Sequence, residues 1–165
     1  MMAALVLQLS AGCNLHEALS VALGLLNTES DDEYTVFNAL IEARDLAQLN
    51  VKPIIAINKL GGGWIAEEAL AIAVYACLKG RTLEEVLLIS VNHSGDSDST
   101  GSISGNLAGA MYGVGAIPDK WLERLELRGV IQEVADDLHD CGRWELSHQV
   151  NTPESKRITE KYPSW

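Results

Sequence analysis

Apolar residues recur along most of this chain at three- and four-residue intervals, the spacing that gathers them on one face of an α-helix. The opening Met1-Met2-Ala3-Ala4-Leu5-Val6-Leu7 is continuously apolar and reads as a core helix ending near Ala11-Gly12. Asn14, with Glu17 three positions on, has the form of a capping box. Behind it Leu15, Leu19, Ala22, Leu23 and Leu26 share a face, which predicts a helix through Leu26. A polar turn over 28–32 precedes a helix over 33–49 with Val36, Leu40, Ala43 and Ala47 inward. Pro53 suits the first turn of a short helix, which Gly61-Gly62-Gly63 stops.

Residues 65–78 are strongly apolar and predict a central helix ended by Gly80. Thr82-Leu83-Glu84-Glu85 repeats the capping-box pattern and opens a helix over 83–91. A polar loop, 92–97, leads into a Gly/Ala-rich helix. Pro118 starts another helix, with Trp121, Leu122 and Leu125, and 130–139 forms the last. Every element read this way is helical, so the expected fold is all-α: a compact multi-helix domain over 1–140 and a polar tail over 141–165. The tail, with Pro153 and Pro163, is expected to pack loosely.

Gly101, Gly105, Gly109 and Gly113 recur every four residues and make one nearly bare stripe along a helix. Glycine costs a helix about 1 kcal/mol per position relative to alanine. Four in line let another backbone come close at a buried helix crossing, so that a leucine at 105 or 109 is expected to overpack it.

Composition narrows the function classes. The chain has 165 residues, 47% hydrophobic and 21% charged, the balance of one soluble domain with a core. Aromatics are only 5%, which favours close-packed helices. A net charge of −11, without a Lys/Arg cluster, argues against nucleic acid as a partner. Lys156, Arg157 and Lys161 sit in the polar tail. Cys13, Cys77 and Cys141 form no CxxC pair, and His139, Asp140, Cys141 and His148 fit no zinc spacing, so reduced thiols in a cytoplasmic protein are expected. No Lys or Arg precedes the opening apolar run, and no stretch reaches the ~20 apolar residues of a membrane span.

The one dense polar constellation is Asn92-His93-Ser94-Gly95-Asp96-Ser97-Asp98-Ser99-Thr100-Gly101. Two carboxylates two residues apart, with hydroxyls between and glycines on each side, supply hard oxygen donors of the kind Mg²⁺, Mn²⁺ or Ca²⁺ takes. Acidic residues at a helix start also serve as caps, and one Asp suffices for that. Asp96, Asp98, Thr100, Gly101 and Ile103 follow an EF-hand loop, but Leu107 stands where its bidentate Glu belongs. A haloacid-dehalogenase type of phosphatase would need its aspartates directly after a buried strand, and Asn92-His93-Ser94-Gly95 intervenes.

This run, with Ile103, Gly105-Asn106-Leu107, Gly109-Ala110 and Tyr112-Gly113, resembles the C-terminal metal motif of the ADP-ribosylglycohydrolases. So does Gly62-Gly63-Trp64-Ile65-Ala66-Glu67-Glu68-Ala69-Leu70 upstream, and Ile117-Pro118, Trp121 and Leu122 continue the likeness. The resemblance implies an all-α fold with two divalent ions, usually Mg²⁺ with Mn²⁺ as a substitute, in a central cleft. It makes Asp96, Asp98 and Ser99 metal ligands, with Asp98 bridging the ions and both aspartates catalytic. Ser99 stands where the family often has Thr, and Ser94 where Gly is common. The implied reaction is hydrolytic release of ADP-ribose from a modified protein or an ADP-ribose-containing small molecule.

A second acidic motif, typically Thr-Asp-Asp, completes the site far upstream in the family, and this chain is expected to begin after it. Ser30-Asp31-Asp32 is the similar string here, and it falls where a capping turn is expected. Two functions follow as expectations. The chain is part of a hydrolase completed by a partner chain or second copy that supplies the missing carboxylates, or it is a non-catalytic family member that binds metal or ADP-ribose or serves as an interaction module.

Overall fold

The computed structural model describes residues 1–143 and 152–162; His148 and Pro163 lie outside the described residues. These residues hold ten α-helices and no strand, so the protein is all-α. The chain divides into two compact units, Met1–Asp119 and Lys120–Trp165. The boundary read from composition, at 140/141, marks something different, the change to a polar tail.

The first unit holds α1 (Met2–Ser10), α2 (Leu15–Gly24), α3 (Asp31–Gln48), α4 (Pro53–Leu60), α5 (Ala66–Lys79), α6 (Leu83–Val91) and α7 (Ser97–Tyr112). Its axis is α5, where every residue from Ala69 to Cys77 is buried. Helices α3, α4, α6 and α7 pack around it, and α1 lies on α7 and α2. Four of the nine residues from Ala69 to Cys77 are alanines, which let the surrounding backbones come close on all sides. Leu40 and Ala43 of α3, Ala56 and Ile57 of α4, Val86 of α6 and Leu107 of α7 complete the core.

Local chemistry sets the helix ends. Asn14 and Glu17 form the expected reciprocal box: the Glu17 N–H donates to Asn14 Oδ1 and the Asn14 N–H to Glu17 Oε2, both at 3.0 Å. At α6 only half of that pattern forms. Thr82 Oγ1 accepts the Glu85 N–H, but the Glu85 carboxylate takes the N–H of Arg81 rather than that of Thr82. Helix α3 begins at Asp31 instead of 33, because Asp31, Asp32 and Glu33 make its first turn, where carboxylates favour the positive end of the helix dipole.

The glycine stripe meets a neighbour at one end only. A Cβ at Gly101 would lie 2.7 Å from Val91 Cγ1, and one at Gly105 an ordinary 3.7 Å from Leu87 Cδ2. At Gly109 nothing comes within 4 Å, and Gly113 ends the helix with φ +74. The closest approach therefore lies at the first turns of α7, and an added Cβ at 109 has room.

In the second unit α8 is a single turn, Asp119–Leu122, straddling the division, and Leu125 lies beyond it. Two turn-type bonds, Arg124 N–H to Trp121 O and Leu125 N–H to Leu122 O, end the segment before α9 (Arg128–Asp140). The polar stretch after 141 holds a further helix, α10 (Pro153–Lys161), with Thr152 as N-cap and Pro153 in its first turn. It is tied to α9: the Lys161 ammonium bonds the carboxylates of Glu133 and Asp137, and the Tyr162 hydroxyl donates to Asp137 Oδ2 at 2.8 Å. Lys161 and then Tyr162 hold the Asp137 carboxyl below the usual carboxylate range.

Candidate functional site

The loop between α6 and α7 is built from its own side chains. Gly95 N–H donates to His93 Nδ1 at 3.1 Å, which places the ring proton on Nε2, facing Thr100 Oγ1 at 3.0 Å. Thr100 is fully buried, and its hydroxyl donates in turn to the Ser90 carbonyl at 2.7 Å. The imidazole thus bridges the loop to the first turn of α7 and, through Thr100, to the last turn of α6. Ser97 Oγ adds a bond to the His93 carbonyl at 3.2 Å.

Asp96 is the N-cap of α7; its Oδ1 accepts the Ser99 N–H at 3.4 Å. The neighbouring Asp98 and then Ser99 side chains hold the Asp96 carboxyl below the usual carboxylate range. The structure therefore brings Asp96, Asp98 and Ser99 together at the N-terminus of α7. Two carboxylates this near in the chain repel, and a divalent cation relieves that. The donors are two carboxylates and a hydroxyl at the positive end of a 16-residue helix. By chemistry this set fits a hard divalent ion.

It is a partial set. Among the described residues no group of three or more His, Cys, Asp and Glu side chains is placed to hold a metal ion. Asp31 and Asp32, exposed in the first turn of α3, do not join Asp96 and Asp98 in such a group.

The Gly61-Gly62-Gly63 turn between α4 and α5 packs directly on this loop. Gly62 O accepts the Asp96 N–H at 2.8 Å, and Glu68 Oε2 accepts the N–H groups of Gly62 and Gly63, each at 3.0 Å. A polar recess of about 310 Å³ opens beside it, lined by Asn58, Gly61, Gly62, Trp64, His93, Ser94 and Gly95. Trp64 on its rim is 72% exposed. Asp96 and Asp98 are not among its walls. The sequence pattern marks the carboxylates, while the bonds of Glu68 and the place of Asn58 in the recess carry no local signature of that kind. The one local signal for Glu68 is its place five to six residues after a glycine run.

No helix among the described residues is long and apolar enough to cross a membrane. No solved structure matches the chain significantly. An uncharacterized protein of Archaeoglobus fulgidus is 38% identical over 85 residues, 52% of this chain and 27% of that protein. The ADP-ribosyl-[dinitrogen reductase] glycohydrolase of Rhodospirillum rubrum is 47% identical over 47 residues, 28% of this chain and 16% of the relative. Human ADP-ribosylhydrolase ARH3 is 28% identical over 105 residues, 57% of this chain and 29% of the relative. The matched segments thus span less than a third of each of these proteins. The ADP-ribosylglycohydrolase family model matches residues 1–146, and with a match of that extent the chain belongs to the ADP-ribosylglycohydrolase family.

Proposed function

We propose that this chain carries part of the active site of a metal-dependent ADP-ribosylglycohydrolase, with Asp96, Asp98 and Ser99 as its ligands to Mg²⁺ or Mn²⁺. The observation that carries this reading is the convergence of those three side chains at the start of α7, in a chain belonging to this family. A bound divalent ion supplies charge stabilisation and lowers the pKa of bound water. The chain's own groups do the rest. Asp96 and Asp98 orient water toward the anomeric carbon and accept its proton. His93 and Thr100 keep the loop in the conformation that presents both carboxylates. Hydrolysis adds water across the glycosidic bond: the hydroxyl joins the ribose carbon, and the acceptor leaves with a proton. The substrate class is an ADP-ribosylated protein or a small molecule containing ADP-ribose, as the names of the relatives suggest.

Two carboxylates leave most of a hard ion's coordination to water, so further carboxylates, from elsewhere in a longer chain or from a second polypeptide, complete the site. A non-catalytic module that binds metal or ADP-ribose is the second reading, and the partial ligand set favours it for the chain alone. Calorimetric Mn²⁺ titration and an ADP-ribose release assay separate the two, each with and without a polypeptide carrying the rest of the family sequence. The expected result is weak Mn²⁺ binding by the chain alone, lost in Asp98→Ala, and turnover only in the mixture. Tight binding and turnover that survive Asp98→Ala would overturn the assignment. Binding without turnover in every mixture would leave the module reading standing.

A further inference from the structure

Resting on that reading of the site, we propose that Glu68 is a positioning residue: its carboxylate holds the glycine turn and, through the turn, the backbone of Asp96. Glu68 is the third residue of α5, where a glutamate ordinarily folds back onto the N–H of its own N-cap, here Ile65. Instead Oε2 reaches past Ile65 and accepts the N–H groups of Gly62 and Gly63, each at 3.0 Å. Such charge-assisted bonds are about twice as strong as neutral ones.

The turn needs an anchor. Gly61 has φ +118 and Gly63 φ +77, so both stand in the left-handed region that side chains avoid. Three glycines in sequence impose little order of their own. The Glu68 carboxyl packs directly against the turn: a Cβ at Gly61 would lie 2.3 Å from Glu68 Cδ. On its other side the turn presents the Gly62 carbonyl to the Asp96 N–H at 2.8 Å. A continuous path therefore runs from α5, the most buried helix of the unit, through Glu68 and Gly62 to Asp96. Its consequence is that the N-cap of α7, and with it the direction of the Asp96 and Asp98 carboxylates, is referenced to α5 rather than to the loop alone. Supports of this kind around ligating groups are worth about 10–100-fold in metal affinity.

The test uses the full 165-residue chain. Glu68→Gln keeps an acceptor oxygen at the same reach, and Glu68→Ala removes it. Leu19→Ala in α2 is a destabilised control remote in sequence from the clasp. Two quantities are measured: the Mn²⁺ titration midpoint, and the hydrogen-exchange rate of the Asp96 amide by NMR. Glu68→Ala should weaken Mn²⁺ binding by about tenfold and speed Asp96 exchange, while Glu68→Gln, which keeps the acceptor without its charge, falls between Ala and wild type in both. Leu19→Ala, compared at equal distance below its own melting temperature, should change neither. If Glu68→Ala does not fold, Glu68→Asp, which keeps the charge and shortens the reach, is measured in its place with the same expectation. Wild-type Asp96 exchange in the Ala or Asp variant, or exchange in Gln as fast as in Ala, overturns the proposal. A wild-type chain that binds no Mn²⁺ sinks the functional reading instead, and Asp96 exchange still decides the role of Glu68.

Discussion

A Cβ on residue 95 would stand 1.9 Å from the Gly62 carbonyl oxygen, so Gly95 and Gly62 meet backbone to backbone. No rotamer change relieves such a contact, because both partners are main chain. Gly95→Ala must therefore push the α6–α7 loop off the glycine turn and break the Asp96 N–H bond to Gly62. We expect a loss of about 1–3 kcal/mol, the usual range for overpacking. Urea unfolding of the variant measures it, and an unchanged midpoint would mean the two segments separate freely.

Thr100→Val preserves shape and burial but removes the hydroxyl that joins Ser90 to His93. The Ser90 carbonyl and the His93 ring N–H are then left without that partner. A buried group so orphaned costs about 1–3 kcal/mol, and Thr100→Ser, which keeps the oxygen, should cost less. Comparing the two melting temperatures checks the order; Val no worse than Ser would remove the hydroxyl from the account.

Local signals in the sequence transferred well to the structure, and contacts between distant segments did not. The Asn14-Glu17 box, the run of buried positions in α5, the 83–91 helix and the carboxylates at the start of α7 all depend on residues within a few positions of one another. The meeting of Gly62 with Gly95, and the reach of Glu68 to the glycine turn, depend on how α4, α5 and α7 pack, and a non-local backbone contact has no periodicity to reveal it. The glycine stripe shows the same limit from the other side. Spacing identified a shared face, but not that α6 comes closest at Gly101, lies at ordinary distance from Gly105 and leaves room at Gly109. Helix α10 has a local signal after all, Thr152 before Pro153, which the polar composition around it obscures.

That limit makes the stripe testable. Gly109 has open space where a Cβ would go, so Gly109→Ala should stabilise the protein by about 0.5–1 kcal/mol through helix propensity. Gly101→Ala should gain less or lose, because its Cβ would meet Val91 Cγ1 at 2.7 Å. Thermal denaturation of the pair decides the matter, and equal gains would mean Val91 yields without cost.

Burial pushes the Cys77 thiol from its ordinary 9.0 up to about 12, whereas Cys141 is exposed. A thiol that stays protonated in the fold but ionises when unfolded stabilises the fold fully below pH 9. That contribution is lost as pH rises from 9 toward 12. Melting temperature should therefore fall across this window, and fall less in Cys77→Ala. At pH 8 an alkylating reagent should modify Cys141 and spare Cys77 until denaturant is added; rapid labelling of Cys77 in the native protein would contradict its burial.

Helix α5 has no solvent face between Ala69 and Cys77. Its amide protons are shielded from water by more than one neighbour, since α3, α4, α6 and α7 all pack against it. They should exchange only when the whole first unit opens, so their rates report its global unfolding free energy under native conditions. Loop amides around Asp96, bounded by far fewer layers, sample cheaper local openings. Ligand binding at the loop can then slow its own exchange well before it slows that of α5, and the difference between the two rates separates capture of an ion from stabilisation of the fold.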